Sequence, residues 1–173
     1  GDYMNAFRYY MSVGKAGDAN AQNDVGNMYK NGYGVAKSYT DAYQWYLKAA
    51  NQDHYYAQNN LGDLFYYGNG VKQDYMKAFE WYSKAAEQGY DEAQFNLGIL
   101  YDNGYGVKRD YLKAYEWYLK AAEQGYNDAQ VNLGDLFYYG NGVKQDYMKA
   151  FEWYSKAAEQ GYNDAQVNLG DLF

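Results

Sequence analysis

The sequence predicts an all-α protein in which short antiparallel helix pairs stack in single file. Three observations lead to this prediction: a repeat of 36 residues, a helical period of apolar residues within each repeat, and glycines confined to a few registers. The chain has 173 residues, which corresponds to about 4.8 repeats. Units of this length cannot bury their own apolar face, so each is stable only against its neighbours.

Two sequence markers recur every 36 residues without a gap. The string AAEQG begins at Ala85, Ala121 and Ala157, and the four tryptophans keep the same interval. Segments 60–90 and 132–162 are identical, so the second and fourth repeats are near copies, and the first and third resemble each other. The predicted organisation, counted as nine helices, is a leading half-repeat, four full repeats and a trailing half-repeat: 1–17, 18–53, 54–89, 90–125, 126–161 and 162–173. Because the chain starts with Gly and stops within a repeat, we expect a fragment or a processed form.

Each repeat divides into two helical halves joined by a glycine-rich loop, GNGV in the second repeat. At about 100° per residue, Ala57, Leu61 and Phe65 fall on one apolar face of the first helix. The second helix is predicted to begin after the N-cap Asp74 and to end before Gly89. The repeat is therefore predicted to be a helix, a tight loop and a second helix.

One glycine register lies inside the first helix, at Gly62 and its equivalents, where glycine costs about 1 kcal/mol relative to alanine. A cost that recurs in every repeat indicates a recurring reason. We infer that a bulky Trp or Tyr of a neighbouring helix packs against the bare backbone at this position.

The outer face of each second helix is predicted to carry ion pairs. Glu80 precedes Lys84 by four residues, and the same pattern recurs in the next two repeats. This order is the favourable one for a helical pair, and each pair is expected to contribute about 0.2–0.5 kcal/mol.

Composition excludes several classes of function. The chain has no cysteine and one histidine, so thiol catalysis, a disulfide framework and zinc fingers are excluded. Its 22 acidic and 15 basic residues give a net charge of −7, which disfavours nucleic acid as a partner. No apolar run approaches the roughly 20 residues of a membrane span, and no signal peptide is recognisable. The absence of cysteine is compatible with either redox environment, so the compartment stays open.

The repeated motifs resemble a known family. The string AQFNLGILYDNGYGVKRDYLKAYEWYLKAAEQGY, from Ala93 to Tyr126, is similar to the Sel-1-like repeat, a relative of the tetratricopeptide repeat. The resemblance implies a right-handed α-solenoid superhelix whose first helices line a concave surface. It also implies a role as adaptor or scaffold in protein complexes. The first repeat departs most from the pattern, with Val25, Ser38 and Asp53 in place of Leu, Asp and Gly.

The concave face is where we expect a protein or peptide partner to bind. The residues opposite Leu61 and its equivalents differ between otherwise similar repeats, which is typical of a recognition surface. We predict a groove, apolar in the middle and acidic elsewhere, for a peptide with basic and apolar side chains. The candidate residues are Asn59, Asp63, Tyr66, Phe95, Ile99, Asp102, Val131, Asp135, Tyr138 and Asp171. The alternative is that these are ordinary surface residues without a partner.

Other interpretations of the same surface stay open. A ladder of asparagines could clamp a peptide backbone, although bonds to neighbouring helix backbones are the favoured explanation. The ladder consists of Asn60, Asn96, Asn132 and Asn168. Tyrosines of the concave face could instead stack on sugars while Asp and Asn bond the hydroxyls, but packing explains most tyrosine registers.

A structural role is a further alternative. The chain is predicted to open with a lone second helix over 2–15 and to close with a lone first helix over 163–173. Each would expose the face that its missing partner covers, so molecules could stack head to tail.

Catalysis and bound cofactors are not expected. His54 is the single histidine and stands in a register otherwise held by tyrosine, so a metal-ligand set or nucleophile-activating pair has no second member. We assign His54 to a loop or interface role. The GNG loop lacks the preceding strand and the Gly-Lys-Ser/Thr of nucleotide-binding motifs. The sequence therefore predicts a protein that is not an enzyme and has no metal or cofactor.

Overall fold

The computed structural model describes residues 2–161 and 163–170, and these residues form ten α-helices and no strand. The all-α prediction is confirmed, but the count of nine helices is wrong, because four pairs and two single helices make ten. The helices are α1 Asp2–Lys15, α2 Ala19–Asn31, α3 Tyr39–Ala50, α4 Tyr55–Tyr67, α5 Tyr75–Glu87, α6 Asp91–Asn103, α7 Tyr111–Glu123, α8 Asn127–Tyr139, α9 Tyr147–Glu159 and α10 Asn163–Gly170.

The chain forms two compact units, Gly1–Gln88 with α1 to α5 and Gly89–Phe173 with α6 to α10. Within each unit a helix packs mainly on the helices that precede and follow it in the chain. The predicted apolar residues Ala57, Leu61 and Phe65 are buried in the first unit. Repeated helix pairs thus bury their apolar faces on their neighbours, as a repeat protein requires.

The ends of the second helices are capped as the sequence predicts. The Asp74 carboxylate accepts bonds from the backbone N–H groups of Met76 and Lys77, both at 3.1 Å. Gly89 follows α5 with φ +91°, a left-handed conformation that glycine adopts without a Cβ clash. Asp53 holds the equivalent position with φ +59°, which an L-residue adopts only at an energetic cost.

The glycine inside each first helix makes room for a tyrosine ring. A Cβ at Gly62 would lie less than 3.0 Å from the ring of Tyr82, so alanine does not fit without movement. This confirms the inference from sequence and identifies the bulky residue as tyrosine. The equivalent pairs are Gly26 with Tyr46, Gly98 with Tyr118 and Gly134 with Tyr154.

Lysines on the outer face of the second helices lie over tryptophan rings. The Lys84 ammonium is 4.4 Å from the ring centroid of Trp81, three residues earlier. In the described residues no ion pair joins Glu80 and Lys84 within 4.0 Å, so the prediction of paired glutamates is wrong. The ring face attracts the cation, and the remaining pairs repeat the arrangement: Lys48 with Trp45, Lys120 with Trp117 and Lys156 with Trp153.

Buried glutamines join successive repeats, a feature that the sequence argument missed. Gln58 is 1% exposed and donates to the backbone carbonyl of Ala50 at 3.4 Å. Its own side-chain oxygen accepts from Gln88 at 2.8 Å, so both ends of the amide are satisfied. The sequence signal was the AQ pair that recurs every 36 residues. The second unit repeats this arrangement with Gln130, Ala122 and Gln160.

Candidate partner-binding site

Most of the predicted partner-binding residues are partly exposed, but not all of them. Asn59 and Val131 are only 3% and 9% exposed, so the expectation that they face solvent is wrong. Helical arithmetic on one repeat ignores the following repeat, and Val131 packs in an apolar cluster that includes Ala165 of α10. Asp171 lies outside the described residues. The partly exposed residues are Asp63, Tyr66, Phe95, Ile99, Asp102, Asp135 and Tyr138.

The apolar middle of the predicted groove is in fact integrated into the second unit. Phe95 has its ring centroid 5.8 Å from that of Tyr118 and 5.0 Å from that of Tyr126. Ile99 also packs against the core cluster of this unit. Packing therefore accounts for much of the apolar character of these two residues.

The acidic residues of the predicted groove accept hydrogen bonds from the buried tyrosines. Tyr82 donates its hydroxyl to Asp63 at 2.8 Å, and Tyr154 donates to Asp135 at 2.6 Å. The same ring that packs on the helix glycine thus presents its hydroxyl to the next residue of the first helix. A charged acceptor makes this bond stronger than a neutral pair.

The acceptor changes in the first and third repeats. Asn27 accepts from Tyr46 at 2.8 Å in the first repeat. In the third repeat Ile99 occupies this register, and Tyr118 donates at 3.1 Å to Asp102, one turn further along the helix. Every full repeat therefore has a side-chain oxygen that accepts the bond of the tyrosine hydroxyl, but the residue that provides this oxygen differs in type and position.

Burial shifts the titration of these groups. Desolvation raises the pKa of Asp135, the bond from Tyr154 lowers it, and the negative charge of Asp102 raises it. Desolvation likewise raises the pKa of Asp102. The hydrogen bond from Tyr118 and the positive charge of Arg109 lower it. The phenolic pKa of Tyr154 is raised by burial and by its contact with Asp135. Both carboxyl groups are thus partly desolvated, and the two repel each other.

The first unit provides a cation for its carboxylate. The Lys30 ammonium of α2 lies 4.0 Å from Asp63 and 3.5 Å from the side-chain oxygen of Asn60, both on α4. Lys30 precedes Asp63 by 33 residues, and Asp102 precedes Asp135 by the same number. In the second unit an acid therefore stands where the first unit has a lysine.

A small cavity of about 70 Å³ opens beside Asp135 in the second unit. It exceeds the ~15 Å³ that one water molecule requires. The rings of Tyr138 and Tyr139 meet edge to face there, with centroids 4.9 Å apart. The lining residues are Asp135, Tyr138, Tyr139, Tyr154 and Asn168. Two of the predicted partner-binding residues, Asp135 and Tyr138, thus share one cavity.

The asparagine ladder bonds side chains of other helices. Asn60 donates to the side chain of Asn23 at 3.2 Å and accepts from Lys30. Asn132 is hydrogen-bonded to the hydroxyl of Tyr118. The favoured explanation, bonds to helix backbones, is therefore wrong for Asn60, because the partner atoms belong to side chains.

His54 caps a helix and joins two repeats. Its Nδ1 accepts from the backbone N–H of Ala57 at 3.3 Å, so Nε2 carries the proton and donates to Asn20 at 3.0 Å. Burial lowers the pKa of the imidazole, which favours the neutral form that capping requires. His54 thus has the loop and interface role expected from sequence.

The described part of the chain has neither a metal-ligand cluster nor a helix able to span a membrane. In residues 2–161 and 163–170, no three His, Cys, Asp or Glu side chains are grouped so that they could hold a metal ion. None of the described helices combines the length and apolarity that crossing a membrane demands.

Comparison with known families decides what kind of repeat this is. The model of the Sel1 repeat matches residues 19–54, 56–90, 91–126 and 127–162. The chain belongs to the Sel1 repeat family. Sel1 repeats are generally scaffolds for protein–protein interaction and are typically not catalytic.

Solved structures of other Sel1 repeat proteins are similar to this chain. A Sel1 repeat protein from Oxalobacter formigenes is 40% identical, with a TM-score of 0.92 over 98% of this chain and 67% of that one. A protective antigen present in uropathogenic Escherichia coli strains is 39% identical, with a TM-score of 0.93 over 98% of this chain. This chain spans only 36% of the length of that antigen.

A third solved structure is less similar to this chain. Cysteine rich protein B of Helicobacter pylori is 32% identical, with a TM-score of 0.59 over 74% of this chain and 92% of that one. Among curated proteins, no significant match to this Sel1 repeat chain was found.

Proposed function

We propose that this Sel1 repeat chain is a non-catalytic scaffold that binds a protein or peptide partner along its first helices. The binding surface, here called the first-helix face, is formed within each unit by exposed and half-exposed residues of its first helices, on α4 in the first unit and on α6 and α8 in the second. These residues are Asp63, Tyr66, Tyr67, Ile99, Asp102, Asn103, Asp135, Tyr138 and Tyr139.

The proposal is supported by where the repeats of this one chain differ. Two buried registers of the first helix keep their residue type, as Leu61 and Gly62 recur at equivalent positions of α6 and α8. Neighbouring exposed and half-exposed registers vary, since Tyr66 is replaced by Asp102 and Tyr67 by Asn103. Packing fixes the first group, whereas the second group is free to differ and offers distinct chemistry at each repeat. Surface residues that differ from repeat to repeat, on helix pairs with the same buried residues, are suited to recognising an extended partner.

A peptide selection tests the proposal directly. The chain is immobilised and used to select binders from a random peptide library displayed on phage. The selected peptides are then titrated against the double variant Tyr66→Ser with Tyr138→Ser. We expect at least a tenfold loss of affinity, since tyrosines supply large contact areas at binding surfaces.

A matched control places the same kind of change on the second helices. Glu80 and Glu152 are exposed there, and the double variant Glu80→Ser with Glu152→Ser should bind the selected peptides unchanged. Circular dichroism establishes that both variants remain helical. Equal binding by both folded variants would show that the partner does not use the first-helix face.

A further inference from the structure

In the first unit, the carboxylate of Asp63 on α4 has both a hydrogen-bond donor and a cation beside it. Asp63 accepts the hydroxyl bond of Tyr82 on one oxygen, and Lys30 lies 4.0 Å from its other oxygen. Lys30 comes from the preceding repeat and also bonds Asn60. A partly desolvated carboxylate is thereby compensated by a positive charge from within the protein.

The second unit has the same carboxylate without that compensation. Asp135 accepts the bond of Tyr154, and no lysine, arginine or histidine of the described chain lies within 4.0 Å of it. The position equivalent to Lys30 is Asp102, whose negative charge acts on Asp135. The lysine of the first unit is therefore replaced by an acid that adds to the negative charge.

Open space adjoins the uncompensated carboxylate. The cavity of about 70 Å³ is lined by Asp135, Tyr138, Tyr139, Tyr154 and Asn168. Tyr139 is 66% exposed, so the cavity can be reached from solvent. Tyrosine faces attract cations, and an amide oxygen accepts from a cationic donor.

We propose that Asp135 and this cavity form a subsite for one basic side chain, lysine or arginine, of the protein partner. The ammonium or guanidinium group takes the place that Lys30 has beside Asp63, and its aliphatic stem lies against Tyr138 and Tyr139. This inference rests on the proposed scaffold function and names the chemistry of one contact. The net charge of −7 favours approach of a basic partner.

Titration with a defined basic peptide tests the subsite. Acetyl-pentalysine amide is added to the whole chain labelled with 13C and 15N. The carboxyl 13C shifts of Asp63 and Asp135 and the side-chain amide of Asn168 are followed by NMR. We expect saturable shifts at Asp135 and Asn168 that exceed the shift at Asp63. Pentaglutamate should produce none of these shifts.

Variants separate the subsite from general attraction to an acidic protein. Asp135→Asn should weaken pentalysine binding about fivefold, which is ~1 kcal/mol at 1.4 kcal/mol per factor of ten. The variant should fold, because Asn27 accepts the same tyrosine bond in the first repeat. The matched change Asp63→Asn removes the same charge beside Lys30 and should alter binding less than twofold.

A second variant fills the subsite from inside the protein. Ile99→Asn combined with Asp102→Lys recreates in the third repeat the residues that the first repeat has at Asn27 and Lys30. Its lysine should neutralise Asp135 and also weaken pentalysine binding about fivefold.

Two outcomes would overturn the subsite: wild-type affinity in a folded Asp135→Asn variant, or shifts that are absent or no larger at Asp135 than at Asp63. If the peptide selection still identifies the first-helix face, the scaffold function stands and only the basic subsite is lost. If the selection fails while pentalysine binds at Asp135, the subsite stands and the broader surface is lost.

Discussion

Helices α4 and α8 show how one sequence acquires two environments. Residues 60–90 and 132–162 are identical, yet Asp63 lies beside Lys30 and Asp135 is acted on by the charge of Asp102. The difference originates outside the identical segments, in the repeat that precedes each of them. The surface chemistry of a stacked repeat therefore depends on its neighbour as well as on its own residues.

The interior of the helix pair α4 and α5 is the same as that of the helix pair α8 and α9, despite this difference. Tyr82 and Tyr154 bond their acids at 2.8 and 2.6 Å. Gly62 and Gly134 leave equal room for the tyrosine rings. Contacts inside these helix pairs thus recur where the sequence repeats, whereas the charge beside the acid does not.

The largest expected effect tests the shared interior. Gly134→Leu should lower the free energy of unfolding by about 3 kcal/mol, because the added side chain overlaps the Tyr154 ring and overpacks the hairpin. Gly62→Leu should cost the same within ~0.5 kcal/mol. Urea unfolding followed by circular dichroism measures both. Costs that differ by more than this would show that the interior also depends on the preceding repeat.

The next effect tests the difference between the two carboxylates. Tyr154→Phe should cost about 2 kcal/mol and Tyr82→Phe about 1 kcal/mol, because a charged acceptor that loses its donor is penalised more when no cation is near. Lys30 continues to compensate Asp63. Unfolding free energies at pH 7 give the comparison. Equal costs would mean that Lys30 contributes nothing to the environment of Asp63.

A smaller effect concerns the turns that connect repeats. Asp53 has φ +59° in the first unit, whereas Gly125 has φ +94° at the equivalent turn of the second. Asp53→Gly should raise stability by about 1 kcal/mol, since glycine has no Cβ penalty there. Gly125→Asp should lower it by a similar amount. A melting temperature that fails to rise for Asp53→Gly would show that the aspartate is held without strain.

The smallest effect is a dependence on pH. Burial and Asp102 raise the folded-state pKa of Asp135 above its ordinary 3.8. Protonated Asp135 therefore stabilises the folded protein fully at a pH below the ordinary pKa of an aspartate. This stabilisation is lost as the pH rises through the raised pKa that Asp135 has in the folded state. The stability of Asp135→Asn relative to the wild type should therefore increase as pH rises from about 3.8. The exposed control Glu152→Gln, measured by the same urea titrations, should show a smaller change, and identical trends would contradict the environment described for Asp135.

The sequence was sufficient for the helix pairs because their signals are local. Apolar spacing placed Leu61 in the core, and Asp74 marked the start of α5, because periodicity and capping act within a few residues. The recurring glycine inside the first helix also predicted that a bulky aromatic ring packs against Gly62, and this ring belongs to Tyr82. Periodicity on one helix failed for Asn59 and Val131, which are buried because other helices cover them.

The partners of polar side chains could be anticipated less well. The glutamines Gln58 and Gln88 bond each other across 30 residues, and their recurrence was visible in the sequence without indicating a partner. Lys84 was predicted to pair with Glu80, but in the structure its ammonium lies over the ring of Trp81. Either arrangement satisfies the spacing of a helix, so only the positions of the atoms distinguish them.

By itself the sequence determined that this protein consists of repeated helix pairs, since periodicity, caps and glycines act over short distances and recur in every repeat. Tertiary structure alone decided which charges meet, because a residue of one repeat reaches the next only after the helices have packed. That is why Asp63 has a lysine beside it and Asp135 faces another acid.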